Sequence, residues 1–137
     1  MSYVEPYSSN DVKRRKRRDL LSKIIKSESG IKKVILGERT GQTIASVSKF
    51  SYSPVDVDSI GAIASKVFCA CEEQGKNLEL GDLELVTSEF TGGKIFMSSY
   101  GPKGIFTLVS GPDINISLIR LKLKCSGDEL KEILDES

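Results

Sequence analysis

The chain has 137 residues, one domain's worth, with 39% hydrophobic and 28% charged residues and no histidine. No apolar run approaches the ~20 residues that span a bilayer, three cysteines make no disulfide framework, and the missing imidazole removes the commonest general base and metal ligand. The net charge of +1 hides an asymmetry: residues 1–33 carry ten Lys/Arg against four Asp/Glu, so a mildly acidic body follows a basic arm, unlike a uniformly basic nucleic-acid binder.

Met1–Asn10 is polar and lacks a signal-peptide core, which with the free cysteines points to a reducing cytoplasm. Met1–Ser9 reads as a disordered tail, and Asn10 as the N-cap of a helix to about Ser29. Leu20, Leu21, Ile24 and Ile25 give only its second half a face to dock. The first half is six consecutive basic residues, Lys13, Arg14, Arg15, Lys16, Arg17 and Arg18, expected to project into solvent. Residues 1–18 are therefore read as a basic, partly disordered arm and 19–137 as a single domain. The run is either a solvated helix extension or a contact for an anionic partner such as a membrane surface. Nucleic acid is disfavoured because no aromatic stacking platform accompanies it.

Ile31–Glu38 and Thr43–Ser48 form strands about the turn Arg39-Thr40-Gly41-Gln42. Lys49–Asp56 reads as a loop, and Asp56 or Asp58 caps a second helix to about Gly75. Strands follow over Leu83–Phe90, Lys94–Ser99 and Gly104–Ser110. Asp113–Glu136 is periodic both as a strand and as a helix with Ile114, Leu118, Leu121 and Cys125 on one face; helix is chosen, mainly on the resemblance given below, with Asp113 as its N-cap. The order is α-β-β-α-β-β-β-α. Short links make the sheet antiparallel, and strands apolar on both sides require helices on both faces.

The second helix is the most informative element. Ile60, Ile63, Ala64, Val67, Phe68 and Cys71 make a broad stripe expected to face the sheet. The opposite side carries Ala62, Ser65 and Cys69, flanked by Lys66, Glu72 and Glu73. Small residues there allow another helix to approach closely, so these six are read as a dimer interface.

No catalytic or metal constellation emerges. Cys69 and Cys71 sit about 200° apart around a helix, and Cys125 completes no site. Thr91-Gly92-Gly93-Lys94 lacks phosphate-loop spacing and joins two strands. Asn115-Ile116-Ser117 spells a glycosylation acceptor by chance. Asp128, Glu129, Glu132, Asp135 and Glu136 read as a solvated acidic face. No cofactor is expected.

Residues 18–134 resemble the roadblock/dynein light chain family. The likeness rests on Gly30-Ile31-Lys32-Lys33-Val34-Ile35-Leu36 leading to Thr40-Gly41 and Thr43-Ile44-Ala45-Ser46, and on the Ala-rich helix Ile60–Cys71. It is closest in Gly104-Ile105-Phe106-Thr107-Leu108-Val109 and Asn115-Ile116-Ser117-Leu118-Ile119-Arg120-Leu121. The resemblance implies a five-stranded antiparallel α+β sandwich with the middle helix on one face and the terminal helices on the other. It also implies dimerisation through the middle helix and the following strand, which joins two sheets into one. The expected function is a non-catalytic platform, paired with itself or a second roadblock-like chain, that binds and regulates a small GTPase. Arg39 is the one candidate for an arginine finger. The alternatives are a scaffold or cytoskeletal light chain without effect on GTP turnover, and a membrane or nucleic-acid adaptor using the basic arm.

Overall fold

The computed structural model describes residues 9–49 and 54–135. In chain order these form α1 (Ser9–Ser27), β1 (Ile31–Glu38), β2 (Thr43–Ser48), α2 (Pro54–Asn77), β3 (Val86–Phe90), β4 (Gly93–Tyr100), β5 (Gly104–Ser110) and α3 (Ile116–Asp135). The strands make one antiparallel sheet in the order β2-β1-β5-β4-β3, so β1 and β5 are central neighbours and β2 and β3 are edges.

Alternation along the strands sorts the core into two layers. Val34, Leu36, Phe96, Phe106 and Leu108 pack with Leu20, Leu21, Ile24 and Ile25 of α1 and Ile119, Leu123 and Leu130 of α3. Met97 and Ile105 point the other way, against Ala64 and Phe68 of α2. The element order and the two-sided cover agree with the expected α+β roadblock architecture.

Boundaries moved where local chemistry outweighed the pattern. Pro54, expected in a loop, opens α2, because a first helical residue needs no N–H and suits proline's fixed φ. Asp56 and Asp58 therefore lie inside the helix. The helix continues past Gly75 and ends in a Schellman arrangement: Leu80 N–H donates to Gly75 O at 2.8 Å and Glu79 N–H to Lys76 O at 3.2 Å. Glu79 holds the left-handed position at φ 56°, a place usually given to glycine. β3 starts at Val86, three residues after the expected Leu83, and residues 82–85 leave the ladder to border a groove against β4 and α3.

The hard C-terminal segment is helical. Its cap is Asn115, whose Oδ1 accepts from Leu118 N–H at 3.1 Å, and not Asp113. The buried face of α3 is Ile119, Leu123, Ser126 and Leu130. Leu121 is 59% exposed and Cys125 is exposed, so the stripe expected to dock looks outward in part. The tail expected over Met1–Ser9 lies outside the described residues except for Ser9, and so does Glu136.

Candidate functional site

α2 keeps Ala64 and Phe68 on the sheet side as expected but turns the rest of the expected stripe partly away. Its sheet side carries Gly61, Ala64, Ser65 and Phe68, all buried, at the i, i+3, i+4, i+7 spacing of one helical face. Gly61 explains the choice: a Cβ there would stand 3.0 Å from Thr43 Oγ1, so the closest approach to the sheet belongs to the smallest residue. Ile63 and Val67, expected on the sheet side, are 58% and 36% exposed. Three small residues and Phe68 make the buried contact, and the branched Ile63 and Val67 are left facing out.

Of the six residues read as an interface, the structure leaves two on the outer side: Lys66 and Glu73 are exposed. Ser65 is buried against the chain's own sheet, donating its hydroxyl to the Arg39 carbonyl. Ala62 is half-buried beside Gly41. Cys69 and Glu72 are half-buried and face Arg39.

Arg39 binds three elements together. Its guanidinium makes a two-pronged ion pair with Glu72 of α2, with Nη2 3.0 Å from Oε2. Nε donates to Pro102 O at 2.8 Å, and the group lies 5.7 Å from the Phe68 ring centre. The backbone N–H of Arg39 also donates to Lys103 O at 2.8 Å. The hydrogen bond to Glu72 raises the arginine's pKa above its ordinary value, against a smaller opposing effect of burial. A side chain held this way is a clamp joining the first hairpin, the β4–β5 turn and α2. The candidate arginine finger is thus held within its own chain, with Nε, Nη1 and Nη2 each making a contact there.

The resemblance, and not the residue pattern, pointed to the strand that follows α2. β3 pairs only with β4, so its outer edge has no strand partner among the described residues. Val86 packs into the α2 layer, while Phe90 at the strand's end is 59% exposed. Leu78 and Leu80, in the connection from α2, are 62% and 72% exposed. An apolar helix face, an open strand edge and exposed leucines are each suited to burial by another chain. Gly61 was the available signal, since it identifies the face that must touch the sheet.

The basic run lies on the other side of the sheet, within α1. Arg14, Arg15, Lys16 and Arg18 are exposed, but Lys13 and Arg17 are half-buried on the same face as Leu20, Leu21 and Ile24. The first half of α1 therefore continues to dock, which corrects the expectation that it projects freely. The division at residues 18 and 19 falls inside this helix. No helix among the described residues is long and apolar enough to cross a membrane. Cys69, Cys71 and Cys125 are free thiols, and no group of three or more Cys, Asp or Glu among the described residues has the geometry to hold a metal.

Comparison with known proteins places this geometry. The sequence model of the family described as Roadblock/LC7 domain matches residues 18–110. An uncharacterized protein of Methanocaldococcus jannaschii is 33% identical over 102 residues, 74% of this chain and 86% of the relative. Among solved structures, Myxococcus xanthus MglB superposes with a TM-score of 0.80 at 20% identity, over 89% of this chain and 97% of that one. A structure described as MglB with tetrameric arrangement superposes with a TM-score of 0.82 at 16% identity, over 97% and 98%. At these identities the superpositions establish a shared fold.

Proposed function

The chain belongs to the Roadblock/LC7 domain family, and on that premise we propose that it is a non-catalytic, homodimeric platform that binds and regulates a small GTPase. The observation that carries the dimer is the outward apolar face of α2, Ile63 and Val67, together with the unpaired edge of β3. Two-fold pairing would bury Ile63 and Val67 against their copies, with Lys66 and Glu73 at the rim. Edge-to-edge pairing of β3 would extend the sheet across both protomers and satisfy the open backbone groups.

The GTPase assignment draws on the family resemblance and on the rigidity of the chain's own surface. With Arg39 committed to Glu72 and Pro102, regulation works by docking against switch loops and holding one of their states. A cytoplasmic location accompanies this reading.

The test mixes the full chain with a small GTPase from the same cell. Light scattering gives the oligomer, and single-turnover GTP hydrolysis gives the effect. A dimer that binds the GTPase and changes its turnover several-fold supports the proposal. Binding with unchanged turnover makes the protein a scaffold, and absence of binding removes the GTPase assignment.

A further inference from the structure

A second concave site lies on the opposite side of the molecule from the outer face of α2. It is a groove of about 490 Å³ at the end of the sheet, between α1, the β4–β5 turn and α3. Three cations reach it from three separate elements: Arg17 from α1, Lys103 from the turn and Lys131 from α3. Glu38 is the single carboxylate in the lining. None of the three cations has an ion-pair partner among the described residues.

Two further observations sharpen the chemistry. Arg17 Nε is buried and has no hydrogen-bond partner among the described residues. That nitrogen is closed to solvent, so a ligand in the groove would meet Arg17 through its other atoms. Two polar groups nearby are already occupied. The Tyr100 hydroxyl donates to Gly37 O at 3.0 Å, and the Pro102 carbonyl accepts from Arg39. What remains for a ligand is positive charge set among the apolar surfaces of Ile44, Tyr100 and Pro102.

We propose that this groove binds a phosphomonoester carrying a small apolar body, with Arg17 as the principal ligand for the phosphate and Lys103 and Lys131 completing its charge. Three cations against one carboxylate leave two positive charges. A phosphomonoester near pH 7 carries roughly −1.5 to −2 and three acceptor oxygens, which matches that balance better than a monoanionic carboxylate. Arginine supplies a planar fork suited to phosphate, and the lysines act as point charges. The site is independent of the dimer and GTPase reading, because no residue of α2 or β3 lines it.

The experiment titrates the full chain with phenyl phosphate, inorganic phosphate and benzoate, following the amide NMR signals of Gly101, Lys103 and Gly104. Phenyl phosphate is expected to saturate at low millimolar concentration or below, several-fold tighter than inorganic phosphate because the ring adds apolar contact. Benzoate is expected to bind at least about tenfold more weakly than phenyl phosphate. Arg17→Gln should weaken phenyl phosphate by about tenfold or more, and Lys103→Gln by several-fold. Lys103 is in an exposed turn, so that variant keeps the fold even if loss of Arg17 disturbs α1. The proposal is overturned if nothing saturates by about 20 mM, if benzoate equals phenyl phosphate, or if binding survives Arg17→Gln and Lys103→Gln unchanged.

Discussion

Ile63→Glu tests the face of α2 directly. Full burial of an isoleucine side chain contributes about 1.5–3 kcal/mol. Because 58% of Ile63 remains exposed in the single chain, pairing has about 0.9–1.7 kcal/mol left to gain per protomer, or roughly 2–3.5 kcal/mol for two copies. Losing that alone weakens a dimer by about 30- to 300-fold, at about 1.4 kcal/mol per tenfold. Placing an unpaired carboxylate in each protomer at the seam adds several kcal/mol, so the combined loss exceeds about a thousandfold. The fold itself should survive. Position 63 is an exposed helix site, and such substitutions stay within about 0.5 kcal/mol. Light scattering should show a folded monomer whose melting temperature no longer depends on concentration. Ser65→Glu is the contrast: Ser65 is 4% exposed and hydrogen-bonded to Arg39, so a carboxylate there should unfold the chain. An Ile63→Glu protein that dimerises with wild-type affinity would refute the assignment of this face.

Three further outcomes follow from single residues. A Cβ at Gly104 would overlap the Tyr100 ring, so Gly104→Ala should cost about 2–3 kcal/mol, read as a lower urea midpoint with unchanged slope. Glu79→Gly should stabilise by up to about 1 kcal/mol, because φ 56° suits glycine better than glutamate; a lower melting temperature would contradict this. Burial pushes the Tyr100 hydroxyl well above its usual value of 10.0, with Arg17 partly opposing the shift. The folded state then keeps its proton while the unfolded chain loses it. Stability is flat below pH 10 and falls above it, by up to about 1.4 kcal/mol per pH unit for this group. Tyr100→Phe should lower stability at pH 8 by about 1–3 kcal/mol, because Gly37 O loses its donor, and should remove that group's alkaline slope. Urea unfolding across pH 8–11 measures both.

Most of the fold was legible because its signals are local. The turn at Thr40-Gly41 and the glycines and proline around the later strands stand where the chain reverses. Strands apolar on both sides correctly required helices on two faces. The orientation of α2 was not legible from hydrophobicity, because nearly its whole circumference is apolar and large side chains were assigned to the core by size. The deciding quantity was distance. The helix runs close to β2 at Gly61, so small residues belong inside, and Ile63 and Val67 are displaced outward. Arg17 was hidden for a related reason: a charge run reads as solvated, yet its aliphatic stem lies on the face of α1 that also buries Leu21 and Ile24. The groove at the end of the sheet joins residues 17, 103 and 131, a separation no local pattern records.

The central pairing of β1 with β5 sets the order in which the protein can assemble during synthesis. Each remaining strand pair lies within a local hairpin, whereas Glu38 must find Gly104 and Ile31 must find Ser110. At about 5–20 residues per second, β1 waits roughly 3–16 s on the ribosome before its partner strand has been made. Throughout that interval Val34, Ile35 and Leu36, all buried in the finished sheet, have only β2, α1 and, once it is made, α2 for cover. The nascent chain therefore carries an uncapped apolar strand for seconds, the period in which a chaperone or a second nascent copy competes with β5 for the same hydrogen bonds.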